Sequence, residues 1–143
     1  MRDYETTRQQ DNETTRQQDN KKNMERTIEN LYIWKESRVV VNLIYQMLMD
    51  NRDYGFKDQI QRAAVSIMNN IAEGFESGSD AKFINFLNIA KGSCSEVRSM
   101  LYLCEDLQYC TSETRIDLQS QVKKISTGIV KMIETLNNRT TRQ

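Results

Sequence analysis

Aliphatic residues are absent between positions 2 and 23 of this chain and recur at helical spacing from Met24 onward. Ile28, Leu31, Trp34, Val41, Tyr45 and Leu48 form a first stripe at steps of three and four, interrupted by Arg38. That period predicts an amphipathic helix. Turn chemistry follows in NRDYGF, Asn51 to Phe56, around Gly55. Ile60, Ala64, Ile67 and Ile71 predict a second helix, with Gly74 placed as a left-handed cap. Ser79 or Asp80 is positioned to cap a third, whose stripe runs Phe83, Leu87, Ala90, Cys94, Val97, Leu101 and Cys104. Thr111 and Ser112 offer the cap of a fourth, carrying Leu118, Val122, Ile125, Ile129, Met132 and Leu136. Connections of about 5–8 residues make neighbouring helices antiparallel, and the near-3.5 period favours crossing angles of about 20°. The predicted fold is all-α: an antiparallel up-down-up-down four-helix bundle over residues 24–143. No stretch of period-two alternation competes with it.

Residues 1–23 predict something different. Glu5 to Asn12 reads ETTRQQDN, and Glu13 to Asn20 repeats it. An eight-residue period fits neither a coiled-coil seam nor a common solenoid unit, and copies without aliphatic side chains bury nothing by stacking. The segment reads as a polar low-complexity tail, although its Glu, Arg and Gln would also tolerate a helical extension.

Composition narrows the chemistry. Among 143 residues there is no histidine and no proline. Without histidine there is no Ser-His-Asp or Cys-His catalysis, no HExxH or Cys2His2 zinc site, and no ExxH di-iron centre in a bundle. Neighbouring Glu105 and Asp106 diverge by about 100° on a helix and make a poor acid–base pair. Neither GxxxxGK[ST] nor GxGxxG occurs. A non-enzymatic protein without metal or cofactor is expected. Cys94, Cys104 and Cys110 are odd in number and lack CxxC spacing, so they read as reduced, small apolar side chains. A polar amino terminus and the lack of a long apolar run predict a cytoplasmic protein with no membrane partner.

Two helices carry more polar pattern than a bundle requires. Arg62, Ser66, Asn69, Asn70 and Glu73 share one face of the second predicted helix; Lys91, Gly92, Ser93, Ser95, Glu96 and Ser99 cluster on the third. A mid-helix glycine costs about 1 kcal/mol against alanine, so Gly92 predicts close backbone approach. A solvated face and a helix–helix or subunit contact both fit this pattern.

These segments carry a resemblance. LYIWKES (Leu31 to Ser37), RAAVSIMNNIAEG (Arg62 to Gly74) and FINFLNIAKGSCSE (Phe83 to Glu96) resemble the 23S rRNA intervening-sequence protein family, over about residues 24–137. That family includes accessory variability proteins of diversity-generating retroelements. The resemblance implies a four-helix bundle assembled as a ring-like homopentamer. It places Arg62, Ser66, Asn70, Glu73 and Glu96 at or near subunit contacts. For retroelement members it implies a reverse transcriptase and RNA or cDNA as partners.

The charge distribution bears on that last implication. Net charge is zero, but it sums three unequal parts. Residues 1–23 carry five basic and five acidic side chains, residues 24–110 carry 9 and 12, and residues 111–143 carry 6 and 3. Positive charge therefore gathers at the carboxyl end in Arg115, Lys123, Lys124, Lys131, Arg139 and Arg142. A ring would multiply it fivefold, enough to hold phosphate backbone without base selectivity; an ordinary solvated helix face fits the same charges. Tyr102 and Tyr109 could stack on bases, though aromatic residues at helical spacing more often pack in cores, as expected of Trp34. Two functions follow: an oligomeric scaffold binding nucleic acid backbone and a reverse transcriptase, or a self-assembling structural protein of an rRNA intervening sequence with no nucleic-acid role.

Overall fold

The computed structural model describes the backbone of residues 2–25 and 27–141 and the side chains of residues 6–17 and 27–139. It is all-α over these residues, with no strand. The helices are α1 (Arg2–Glu25), α2 (Tyr32–Met47), α3 (Tyr54–Phe75), α4 (Asp80–Asp106) and α5 (Ser112–Thr141), with a 3-10 turn at Ile28–Asn30. By its contacts the chain divides into two units, residues 1–31 and residues 32–143. The side chain of Met24, where the bundle is expected to start, and all of Arg142 lie outside the described residues.

In the first unit the duplicated octapeptide forms the middle of α1. Residues 6–17 are exposed all round. The hydroxyls of Thr14 and Thr15 donate one turn back to the carbonyls of Gln10 and Asp11, at 2.9 and 2.8 Å. With no apolar side to bury, this helix rests on the good propensity of its Glu, Arg and Gln.

In the second unit α2 packs on α3, α3 on α4, α4 on α5, and α5 back on α2. The starts of α3, α4 and α5 are each capped by a side chain. Asp53 accepts the Phe56 N–H at 3.2 Å, Ser79 the Lys82 N–H at 3.2 Å, and Thr111 the Thr114 N–H at 3.1 Å. These are N-caps, each satisfying one of the otherwise orphaned first-turn donors. Glycine 55 thus lies inside the first turn of α3, not in a loop. At the other end of α4 the backbone turns through Gln108 at φ 62°. The Gln108 N–H bonds Glu105 O and the Tyr109 N–H bonds Cys104 O, a Schellman closure.

The core stripes of α4 and α5 are those of the sequence pattern: Leu87, Ala90, Cys94, Val97, Leu101, Cys104, Val122, Ile125 and Ile129 are all almost fully buried. Cys94 and Cys104 are free thiols pushed up to about 12 by burial. Helix α2 departs from expectation. Its buried face is Ile33, Ser37, Val40 and Ile44, continued by Leu48 just past its end, while Tyr45 is exposed and Trp34 and Val41 are half-buried. Within α2 the face is shifted by one residue from the predicted positions 34, 41 and 45, because a serine occupies a core position; Leu48 is buried as predicted. Ser37 satisfies its hydroxyl by donating to Ile33 O at 2.6 Å. Arg38 therefore interrupts nothing: it lies off the core and its guanidinium covers the Trp34 ring at 5.9 Å.

Three glycines correct the sequence reading. The left-handed residue between α3 and α4 is Gly78, at φ 86°, and not Gly74. Gly74 is a helical residue whose missing side chain admits Phe83 and Phe86 of α4. Gly92, expected at a close approach, has no heavy atom within 4 Å of where a Cβ would stand. Gly92→Ala is therefore expected to raise stability by about 1 kcal/mol through helix propensity; a lower denaturation midpoint for this variant would contradict the open face.

Candidate functional site

The basic residues of α5 fall into two groups. Arg115 and Arg139 are held by α4. Arg139 grips Asp80, the first residue of α4, with Nε and Nη2 at 3.0 and 2.6 Å from the two carboxylate oxygens. Arg115 donates from Nε to Glu105 near the end of α4, and Glu105 also accepts the Ser112 hydroxyl. Arg115 Nη1 donates to Gln119 at 2.8 Å, and its guanidinium covers the Tyr102 ring at 4.9 Å. Both arginines are thus occupied in joining α4 to α5.

These pairs carry a pH signature. The hydrogen bond from Arg139 holds the Asp80 carboxyl below its usual value near 3.8. Hydrogen bonds from Ser112 and Arg115 hold Glu105 below its usual 4.5. The unfolded chain then takes up protons first, so this stability is complete above the ordinary carboxylate range and is lost as pH falls through the depressed folded values. Asp80→Asn combined with Glu105→Gln is expected to flatten the fall in melting temperature between about pH 5 and about pH 2. An unchanged slope would contradict it.

Lys123, Lys124 and Lys131 are arranged differently. They are exposed and have no ion-pair partner among the described residues. Steps of four and eight put Lys123, Thr127 and Lys131 in one row of α5, beside a second row of Ser120, Lys124 and Gly128. Together with Tyr32 at the start of α2, these residues line a groove of about 530 Å³. The groove follows from close packing at Gly128: a Cβ there would lie 2.6 Å from Ile33 Cγ2, so α2 and α5 approach where α5 has no side chain. Tyr32 stands at the rim with 54% of its surface exposed.

The polar stripe of α3 and α4 resolves into two parts. Ser66 and Ser93 hydroxyls lie 2.9 Å apart across the α3–α4 seam, and Asn70 Nδ2 donates to Ser66 O and Oγ at 2.8 and 3.0 Å. Arg62 pairs with Asp58 one turn earlier at 2.9 Å, with 80% of its side chain exposed. Glu73 and Glu96 are exposed. Tyr109, a stacking candidate from sequence, is engaged within the fold: its hydroxyl donates to Asp53 at 2.7 Å and its ring meets Phe56 edge-on at 5.3 Å. Tyr32 was missed because it begins its helix and falls in no stripe; its exposure appears only once α2 is seen to start there.

A second concavity of about 320 Å³ lies between α2 and α3, lined by Tyr45, Gln46, Met49, Lys57 and Gln61. Gln61 Nε2 is buried there without a hydrogen-bond partner. Met49 is 69% exposed and nearby Tyr54 is 70% exposed. Among the described residues no group of three or more Cys, Asp and Glu side chains could hold a metal ion, and no helix is long and apolar enough to cross a membrane.

Fold and site thus define an all-α protein with a lysine-lined groove on its last helix. Residues 29–131 match the 23S rRNA-intervening sequence protein model, and the chain belongs to that family. It is similar to the crystal structure of a protein with unknown function from the S23 ribosomal protein family of Bacteroides thetaiotaomicron VPI-5482. The TM-score is 0.65 at 27% identity, covering 71% of this chain and 95% of that one. None of the curated proteins matches the chain.

Proposed function

We propose that the chain is a non-enzymatic cytoplasmic scaffold: an antiparallel up-down-up-down bundle that assembles with copies of itself and binds nucleic acid backbone along α5. The observation that carries this reading is the sorting of basic side chains. Arg115 and Arg139 are committed to Glu105 and Asp80, whereas Lys123, Lys124 and Lys131 gather unpaired at one groove. Unpaired, clustered lysines are what sequence-independent phosphate binding requires. The antiparallel arrangement is supported by the ion pairs that link the first turn of α4 to the last turn of α5, and the last turn of α4 to the first of α5.

Assembly is supported by Tyr45, Met49 and Tyr54, an exposed apolar group around the unpartnered Gln61 amide. Patches of this kind mark contact surfaces. Among the described residues Arg62 pairs only with Asp58 one turn earlier on its own helix and stays largely exposed, as do Glu73 and Glu96, which leaves all three accessible to a neighbouring subunit. A pentameric ring, as the resemblance implies, would gather five lysine grooves in one object, and a reverse transcriptase is the protein partner such a scaffold would serve. The same apolar group favours a second reading, in which the protein only self-assembles.

Light scattering together with anisotropy of labelled single-stranded RNA, at about 50 mM salt where backbone contacts are strongest, separates these readings. The scaffold predicts a mass several times 16.8 kDa, with five subunits, and measurable binding. Assembly without binding supports the structural reading; a monomer that binds nothing contradicts both.

A further inference from the structure

The lysines are not the whole of the groove. Tyr32 faces them from α2, and neither the Ser120 nor the Thr127 hydroxyl is engaged in a hydrogen bond among the described residues. Thr135 in the same helix, by contrast, donates back to Lys131 O at 3.0 Å. A surface that only attracted phosphates would need no exposed aromatic ring beside its lysines. Here one is present, over a trough whose 530 Å³ falls within the roughly 300–1,000 Å³ of small-ligand sites.

We propose that this groove is a base-stacking subsite for single-stranded nucleic acid, with one base on the Tyr32 ring and the flanking phosphates on Lys123 and Lys124 at one end and Lys131 at the other. This rests on the backbone-binding function proposed above and adds to it a requirement for an unpaired base. Helical rise supports the arrangement: eight residues separate Lys123 from Lys131, about 12 Å along the axis. A stacked strand rises roughly 3.4 Å per phosphate along its axis, so the row spans several phosphates, and the flexible lysine stems let its two ends reach in to those flanking a base turned out onto Tyr32. A duplex keeps its bases inside and cannot offer one to Tyr32. The thymine, uracil or purine face is equally acceptable to a tyrosine ring, so the subsite selects strandedness and not sequence. The free hydroxyl of Thr127 lies between the lysines and that of Ser120 one turn before Lys123 and Lys124, where they can donate to a phosphate or sugar oxygen.

The test compares a labelled oligothymidylate with an abasic strand of the same length, using the full chain at about 50 mM salt. Oligothymidylate is expected to bind about 5- to 100-fold more tightly. Tyr32→Ala should bring it down to the abasic level while leaving abasic binding unchanged, and Tyr32→Phe should preserve the difference. Circular dichroism melts of both variants serve as the folding control, and the exposed ring predicts little change. Equal binding of the two strands, or a Tyr32→Ala variant that keeps the preference, overturns the subsite and leaves backbone binding standing. If neither strand binds, both the subsite and the backbone-binding function are overturned.

Discussion

Replacing Lys123, Lys124 and Lys131 together by glutamine is expected to weaken single-stranded RNA binding by two to three orders of magnitude at about 50 mM salt. On a single strand each neutralised phosphate contributes a slope of about −0.7 to the dependence of log K on log salt, so at this salt one contact is worth slightly under one decade. Three lysines at one groove then give between two and three decades. Glutamine preserves helix propensity, and all three positions are exposed, so the folded bundle should be unaffected. The informative control is Arg115→Gln with Arg139→Gln. Those residues carry the same formal charge on the same helix, but Glu105 and Asp80 already neutralise them. Their removal should cost little binding and instead lower acid-sensitive stability. If the arginine pair weakened binding as much as the lysine triple, the division of α5 into bridging and free cations would be wrong.

Gly74→Ala is expected to cost about 1–3 kcal/mol net, a fall of several degrees in melting temperature for a chain of this size. The added Cβ would lie 2.7 Å from Phe83 Cδ2 and 2.8 Å from Phe86 Cβ. A phenylalanine ring can turn, but Phe86 Cβ is fixed to its own backbone, so relief requires α3 and α4 to separate. Phe83 is itself in the core and meets Phe75 edge-on at 6.1 Å, which leaves its ring little room. Helix propensity alone would give the opposite sign, a gain of about 1 kcal/mol on replacing glycine. The comparison with Gly92→Ala is therefore sharp: the same substitution in two neighbouring helices should move stability in opposite directions. A stabilised Gly74→Ala variant would show that the α3–α4 seam is looser than described.

How far the sequence could be read depended on whether core positions were apolar. In α4 every predicted stripe residue is buried, and in α5 all but Met132, because an apolar side chain fills each of those positions. In α2 the serine at position 37 broke the pattern, and exposed Tyr45 stood in for the true face one residue away. Caps were legible at Ser79 and Thr111, where a hydroxyl precedes an apolar run, but Asp53 was hidden by the turn-like Gly55 that follows it. Glycines were the least legible. Their role depends on what lies opposite, which spacing within one helix cannot reveal; hence Gly92 was assigned the contact that Gly74 and Gly128 make. For the site, sequence identified the basic end of the chain and all five described cations. It could not sort them, since the partners Asp80 and Glu105 lie 59 and 10 residues away from Arg139 and Arg115. Nor could it single out Tyr32, whose place opposite the lysines depends on how α2 and α5 meet.

The central claim is that free lysines on α5 bind phosphate backbone, and the salt dependence of single-stranded RNA affinity tests it most directly. Plotted as log K against log salt from about 50 to about 200 mM, the wild-type protein should fall on a line with a slope of about −2 per engaged subunit or steeper, and the lysine triple variant should be shallower by about 2. No binding at about 50 mM, or an affinity that does not change with salt, would contradict the account.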